Sequence, residues 1–352
     1  MKIALMTIWR EKNFGAEMQC YATVKALKML GHEVQVVDYR LSDSDTLSLK
    51  HRILKYIISL SPESTHFESF WSQFIPSTKH YKSLEELLND PPQAELYLIG
   101  SDQVWNPDIT KEKWETYFLP FGSERIKRVA YASSFGEEKW IWDDKRDLVA
   151  GYLSKFKRIS VRENAGKILL NDQFGINSNV VLDPTLLHTE YDEIVMHDST
   201  KPNLAYYPLT QNEELSKYSK SLAQTLGLKW IDVNNRKKLL NRITWERTTL
   251  RAWLKNIAEA SLVITPSFHG LAFSLIYKRQ FIIIQNAKGK NRSSRITGLL
   301  EPLGLMDRYF TSIDDVKASR VWETPIDYSI IDPKLDILRS KSWEYLKEVT
   351  AE

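Results

Sequence analysis

The stretch Thr265-Pro266-Ser267-Phe268-His269-Gly270 offers residue types, in an order, that suit an anion. Ser267 is a good helix N-cap residue. The first free N–H groups of a following helix would gather there with the positive end of its dipole. Gly270 has no Cβ, so a phosphate or carboxylate could approach that backbone closely. Each residue also has a quieter reading: Ser267 as a plain cap, Gly270 as a packing glycine, His269 as a hydrogen-bonded histidine at a strand end. Elsewhere small polar and charged residues gather just after apolar runs: Asn13, Asp102, Ser134 and Arg162. At the carboxyl edge of an open parallel sheet such residues meet ligands. Loops are polar in any case, which explains Ser and Asn more easily than the pair Arg162-Glu163 ending an apolar strand.

The elements that would position these residues are legible. Leu262–Thr265 is a short apolar, β-branched run, as a buried parallel strand requires. Apolar spacing then turns helical through Leu271, Ala272, Leu275 and Ile276, and Phe281–Ile284 is a second buried strand. Ile3–Thr7, a helix over Ala16–Leu30 and Glu33–Tyr39 form an opening βαβ unit, and a right-handed crossover makes its strands parallel. GxGxxG is absent from its first turn, so a dinucleotide fingerprint is not supported. Residues 47–90 read as a helical excursion in which Phe67, Phe70, Trp71 and Phe74 form a core-facing stripe. Strands follow at Glu95–Gly100, Arg128–Ala132, Arg158–Val161 and Asn179–Leu182. After the polar segment His188–Pro202 the alternation restarts with Leu204–Leu209, a helix over Asn212–Leu226 and Lys229–Val233. Asn234–Arg247 reads as a solvated basic surface, and residues 288–295 as a basic loop. The reading is two doubly wound, Rossmann-like α/β domains, 1–188 and 189–330, facing a cleft, with a helix at 331–352 packing back on the first.

Composition narrows the function. The 352 residues carry 48 Lys+Arg against 45 Asp+Glu, a balance of +3 that gives no case for nucleic acid. With 43% hydrophobic residues the chain can bury ordinary cores. A lone cysteine, Cys20, excludes an internal disulfide and fits a reducing compartment. No apolar run approaches the ~18–20 residues of a membrane span. Met1–Thr7 runs straight into a strand, without a signal peptide. A cytoplasmic protein is expected. The histidines are scattered and the acids form no ligand-spaced cluster, so no metal site is expected.

Taken together, Asn13-Phe14-Gly15-Ala16, Ile99-Gly100-Ser101-Asp102-Gln103-Val104-Trp105-Asn106, Tyr131-Ala132-Ser133-Ser134-Phe135-Gly136, Ser160-Val161-Arg162-Glu163, Val181-Leu182-Asp183-Pro184-Thr185 and Ser267-Phe268-His269-Gly270 resemble the polysaccharide pyruvyl transferase family. That resemblance covers nearly the whole chain and implies a GT-B-like fold. It further implies transfer from phosphoenolpyruvate, a donor substrate rather than a cofactor, onto two hydroxyls of a sugar in a polysaccharide or its precursor. The acceptor would be free or lipid-linked, the latter implying peripheral contact with the inner face of a membrane. Arg162 would hold the donor carboxylate bidentately. Ser267, Gly270, Arg292, Ser293 and Arg295 would serve the donor's phosphate and carboxylate. His269 would be the general acid and Asp102 the base for a sugar hydroxyl. Asn13, Gly15, Ser101, Gln103, Asn106 and Ser134 would line the acceptor side. Many members carry an arginine where this chain has Ser267, which keeps two alternatives open: a GT-B glycosyltransferase using a nucleotide sugar, and a non-catalytic member that binds a glycan precursor.

Overall fold

The computed structural model describes the chain apart from residues 42–52, 54–55, 58–61, 198, 211, 241–242, 247, 286–292 and 352. It divides into two compact units: Met1–Asp43 with Phe70–Leu187 and Leu335–Glu352, and Ser44–Ser69 with His188–Lys334.

The first unit is built on a wholly parallel seven-stranded sheet. Its strands are β1 (Lys2–Met6), β2 (Glu33–Tyr39), β3 (Ser77–Tyr81), β4 (Leu96–Ile99), β5 (Lys127–Ser133), β6 (Arg158–Val161) and β7 (Asn179–Val180), in the order β3-β2-β1-β4-β5-β6-β7. The central strands are apolar runs because both faces of a parallel sheet are covered; every residue of β4 is buried. Residues 47–90 are not wholly helical as expected. Helix Pro62–Phe74 and helix Leu84–Asn89 flank β3, which pairs with β2 at the sheet edge. An edge strand has one covered side, so Ser77-Thr78-Lys79-His80-Tyr81 lacks the apolar run that reveals a central strand. Phe67, Phe70 and Trp71 are buried, as a core-facing stripe should be.

The second unit holds a five-stranded parallel sheet of β8 (Asn203–Tyr206), β9 (Lys229–Asp232), β12 (Leu262–Thr265), β13 (Gln280–Ile284) and β14 (Tyr309–Phe310), in the order β14-β13-β12-β8-β9. The stretch expected to be a solvated basic surface contains an antiparallel pair, β10 (Arg236–Leu240) and β11 (Ile243–Glu246). Strands of five and four residues are too short to stand out by pattern in the sequence, and cross-strand pairing decides their conformation.

The last helix, Tyr328–Ala351, belongs to the first unit from Leu335 onward. There Leu346 and Val349 are fully buried, the Tyr345 hydroxyl donates to the Ala130 carbonyl (2.9 Å), and Ser342 Oγ accepts from the Leu182 amide (2.9 Å). Leu346→Ala should therefore destabilise this unit by about 2–5 kcal/mol, the usual cost of a buried leucine cavity. Urea unfolding followed by tryptophan fluorescence measures it; an unchanged midpoint would mean the terminal helix is not part of the cooperative unit.

Candidate functional site

In the first sheet the order β2-β1-β4-β5 reverses direction between β1 and β4, the place where open α/β sheets leave a crevice at their carboxyl edge. The two loops that leave these strands are tied together. Thr7 Oγ1 donates to the Ser101 carbonyl (2.8 Å), while Gln19 Nε2 donates to Thr7 Oγ1, the Ile8 carbonyl and the Ala16 carbonyl. A Cβ on Gly100 would stand 3.0 Å from Leu5 Cδ1 and 3.1 Å from Thr7 Cβ, so any side chain there would press on both neighbours. Asn13 caps helix Phe14–Met29, its Oδ1 accepting from the Gly15 and Ala16 amides. Gly15 itself is buried in the first turn.

Asp102 is left-handed, with φ of 79°, a conformation that costs an aspartate less than most residues. Its carbonyl accepts from the Ser134 amide (3.0 Å) and its Oδ1 from the Gln103 amide (2.8 Å).

Behind Asp102 lies Arg162, whose side chain is 1% exposed. Its Nη1 donates to Asp183 Oδ2 at 2.8 Å, its Nη2 stands 3.7 Å from Asp102 Oδ1, and its Nε stands 3.8 Å from Glu163 Oε2. Burial pulls the guanidinium toward losing its proton, but Asp183, Asp102 and Glu163 together outweigh this and hold it above its ordinary value. The carboxylates have further donors: Ser134 Oγ to Glu163 (2.6 Å), Ser101 Oγ to Asp183 (2.8 Å), and the Thr185 amide and hydroxyl to Asp183 (3.0 and 2.7 Å). This corrects the expectation for Arg162. Its fork is turned inward on the chain's own carboxylates, not open to a donor. Ser101, Asn106 and Ser134, expected on the acceptor side, are likewise fully buried. Asn106 caps the short helix Pro107–Thr110 and donates to Gln103 Oε1 (2.7 Å). At Gly136, with φ of 69°, a Cβ would fall 2.2 Å from Gln103 Oε1 and 2.4 Å from Asn106 Nδ2.

What faces solvent is a pocket of ≈ 340 Å³. It brings together Asn13, Asp102 and Gln103 with Glu11, Lys111 and Glu112, which sequence reasoning did not single out. The loop carrying Glu11 and Asn13 is pinned from below by Glu17. The Glu17 carboxyl oxygens accept from the Arg10, Glu11 and Lys12 amides and from Trp71 Nε1 (2.7 Å). Arg10 and Lys12 have φ of 59° and 52°, so the loop curls its N–H groups around one acceptor. Burial pushes Glu17 up to about 8, against the pull of the Trp71 indole. In the sequence Glu17 is only an acidic residue in a first helical turn, which is commonplace.

In the second sheet the reversal falls between β12 and β8. Thr265 Oγ1 bridges them, donating to the Tyr207 carbonyl (2.8 Å) and accepting from the Ser267 amide (2.9 Å). Ser267 caps helix Phe268–Ile276 by accepting from the Gly270 amide at 3.3 Å, and it is buried. Gly270 is a packing glycine: a Cβ there would lie 2.7 Å from Thr265. His269 sits in the first turn, 9% exposed, edge-on to Phe268. Ser293 and Arg295 are half-buried at the start of helix Ser294–Leu303, which touches the helix bearing His269. Arg292 lies outside the described residues. Among the described residues no group of three or more His, Cys, Asp or Glu could hold a metal ion, and no helix is long and apolar enough to cross a membrane.

The sequence matches the family model for polysaccharide pyruvyl transferase over residues 13–288. No curated protein matches it at a significant level. Among solved structures, UDP-GlcNAc 2-epimerase from Methanocaldococcus jannaschii, in complex with UDP-GlcNAc and UDP, is similar at a TM-score of 0.53 and 11% identity, over 100% of both chains. The S. aureus MnaA–UDP structure is similar at 0.52 and 13% identity, over 95% of this chain and 90% of that one. UDP-N-acetylglucosamine 2-epimerase from Rickettsia bellii is similar at 0.52 and 8% identity, over 100% and 96%. At such identities the likeness is one of fold, and the fold is GT-B-like with two parallel-sheet α/β domains.

Removing the buried guanidinium should be costly. Arg162→Ala should lose about 3–5 kcal/mol at pH 7, because Asp183 and Glu163 would remain buried without their cation. Those carboxylates would then bind protons more readily folded than unfolded, so the deficit should shrink as pH is lowered toward about 5. Denaturant titrations at both pH values measure this, and a deficit that grew on acidification would contradict the ion cluster.

Proposed function

Since the chain belongs to the polysaccharide pyruvyl transferase family, we propose that it transfers the enolpyruvyl carbon of phosphoenolpyruvate to two hydroxyls of one sugar. The product is a pyruvate ketal and the leaving group is phosphate. In the balanced step the donor's methylene carbon gains a proton and becomes a methyl group. Two sugar oxygens bond to the adjacent carbon, the bond to the phosphate oxygen breaks, and the second hydroxyl proton leaves with phosphate.

The single observation that carries the acceptor half is the placement of Asp102. Its side chain, 16% exposed, lines a pocket while its backbone and carboxylate are fixed from behind by Ser134, Gln103 and Arg162. A carboxylate so held can take a hydroxyl proton with little reorganisation. Asn13 and Gln103 line the same pocket and supply amide groups for the neighbouring hydroxyls. Arg162 is then a positioning residue.

The donor half rests on the helix start at Ser267–Gly270, where His269 is the proposed acid for the methylene carbon. A helix N-terminus disfavours an imidazolium, whereas a dianion bound there favours it, so donor binding would take up a proton. Arg295, and Arg292 in the basic loop, would add positive charge. A nucleotide-sugar reading asks for a carboxylate to grip the ribose, and Ser261–Tyr277 contains none. The donor is a cytoplasmic metabolite, so the reaction belongs there, at the inner face of the membrane if the acceptor is lipid-linked.

His269→Gln should bind phosphoenolpyruvate almost as the parent does and turn over roughly 10²–10⁴-fold more slowly, the range for a lost acid–base group. His269→Ala should lose both. Calorimetric donor binding beside steady-state phosphate release separates the two effects. Equal losses of binding and rate in His269→Gln would make the histidine a phosphate ligand and not the acid.

A further inference from the structure

Ile8, Glu11, Asn13 and Ala16 form the side of the pocket that follows β1. Between β1 and helix Phe14–Met29 the chain has no helix or strand to fix its course. Glu11 extends this side toward the end of β2, its Oε1 accepting from the amide of Leu41 (2.8 Å), which also lines the pocket. Arg10 and Lys12 are left-handed, at φ of 59° and 52°. Non-glycine residues keep such a backbone only where their surroundings impose it.

Glu17 imposes it here. It is fully buried and does not line the pocket. Its Oε1 accepts from the Glu11 and Lys12 amides (3.1 and 3.2 Å), and its Oε2 from the Arg10 amide and the Trp71 indole (3.3 and 2.7 Å). The two oxygens of a carboxylate offer about four acceptor positions, and four N–H donors take them. Glutamine has the same shape but carries an amide nitrogen in place of one oxygen, which would set its own N–H groups against two of these donors. Asp102 is held separately, by Ser134, Gln103 and Arg162. Loosening the loop would thus change how well a sugar is held and leave the base in place.

We infer that Glu17 is a positioning residue for the acceptor: without touching substrate, it sets acceptor affinity by holding Arg10–Lys12 in the curl that presents Glu11 and Asn13 to the pocket. The inference rests on the reading of that pocket as the acceptor site.

The test compares the full-length parent with Glu17→Gln and with Glu17→Asp, which keeps both oxygens but draws them back by one methylene. Measurements are made above pH 8, because Glu17 is itself pushed up to about 8 and a proton on it would remove an acceptor as the amide does. Methyl glycosides of glucose, galactose and mannose serve as acceptors. Saturation-transfer NMR reads binding, phosphoenolpyruvate-dependent phosphate release reads kcat and KM, and hydrogen exchange reads the Arg10–Lys12 amides. Both variants should fold, exchange these amides faster and raise the acceptor KM at least about tenfold, the loss expected when buried donors go unsatisfied. Their kcat and their KM for phosphoenolpyruvate should stay within about threefold of the parent, as for lost ground-state binding alone. A parent that binds a sugar without releasing phosphate, beside variants that bind it correspondingly less, would uphold the role of Glu17 and remove the pyruvyl-transfer reading. An unchanged acceptor KM beside normal parent turnover would overturn the inference and leave that reading standing. A loss confined to kcat, variants that do not fold, or a parent that neither binds nor converts any of the sugars would also overturn it.

Discussion

A single buried guanidinium fixes the first unit's carboxyl edge. Arg162 enters from the end of β6 and meets carboxylates from the segments after β4, β6 and β7: Asp102, Glu163 and Asp183. Taking such ions out of water costs several kcal/mol each, repaid only when partners and hydrogen bonds are well placed. Here Ser101, Ser134 and Thr185 supply those bonds. The cluster thus locks three loops to one centre. Of its three carboxylates, Asp102 is the one that reaches solvent. The cluster thereby holds the Asp102 side chain at the pocket in a fixed orientation.

The fold was largely readable because parallel strands covered on both faces are uninterrupted apolar runs, as in Leu96–Ile99 and Leu262–Thr265. The edge strand Ser77–Tyr81 and the pair Arg236–Leu240 and Ile243–Glu246 escaped because none of them is an uninterrupted apolar run in the sequence. Within the site, Asn13, Asp102 and Gln103 were legible as polar residues after strands. Arg162 was legible as important but not as inward-facing. An arginine that ends a buried strand looks the same in sequence whether it meets a ligand or Asp183, which lies beyond a whole helix. Glu17 and Glu11 were invisible because their roles come from a curled loop with positive φ at Arg10 and Lys12. Gly270, read as room for a ligand, makes room for Thr265.

The GT-B-like frame does not choose the chemistry. Its sheet reversals leave two carboxyl edges, and side chains decide what each could receive. On the first edge the pocket is rich in carboxylates, suited to hydroxyls that must donate or lose protons. On the second, the helix start at Ser267–Gly270 has no acid nearby in sequence and an imidazole in its first turn, suited to an anion. This division of charge matches a reaction that joins a dianionic donor to an uncharged alcohol.

The most direct test follows the donor's carbon. Phosphoenolpyruvate labelled with ¹³C at the enol carbon is incubated with the protein and a neutral sugar acceptor, and carbon and phosphorus NMR are recorded together. The account predicts that the enol signal gives way to a quaternary ketal carbon bonded to two oxygens of one sugar, with one phosphate released for each ketal formed. Unchanged phosphoenolpyruvate with every acceptor, beside consumption of a nucleotide sugar with the same acceptors, would contradict it.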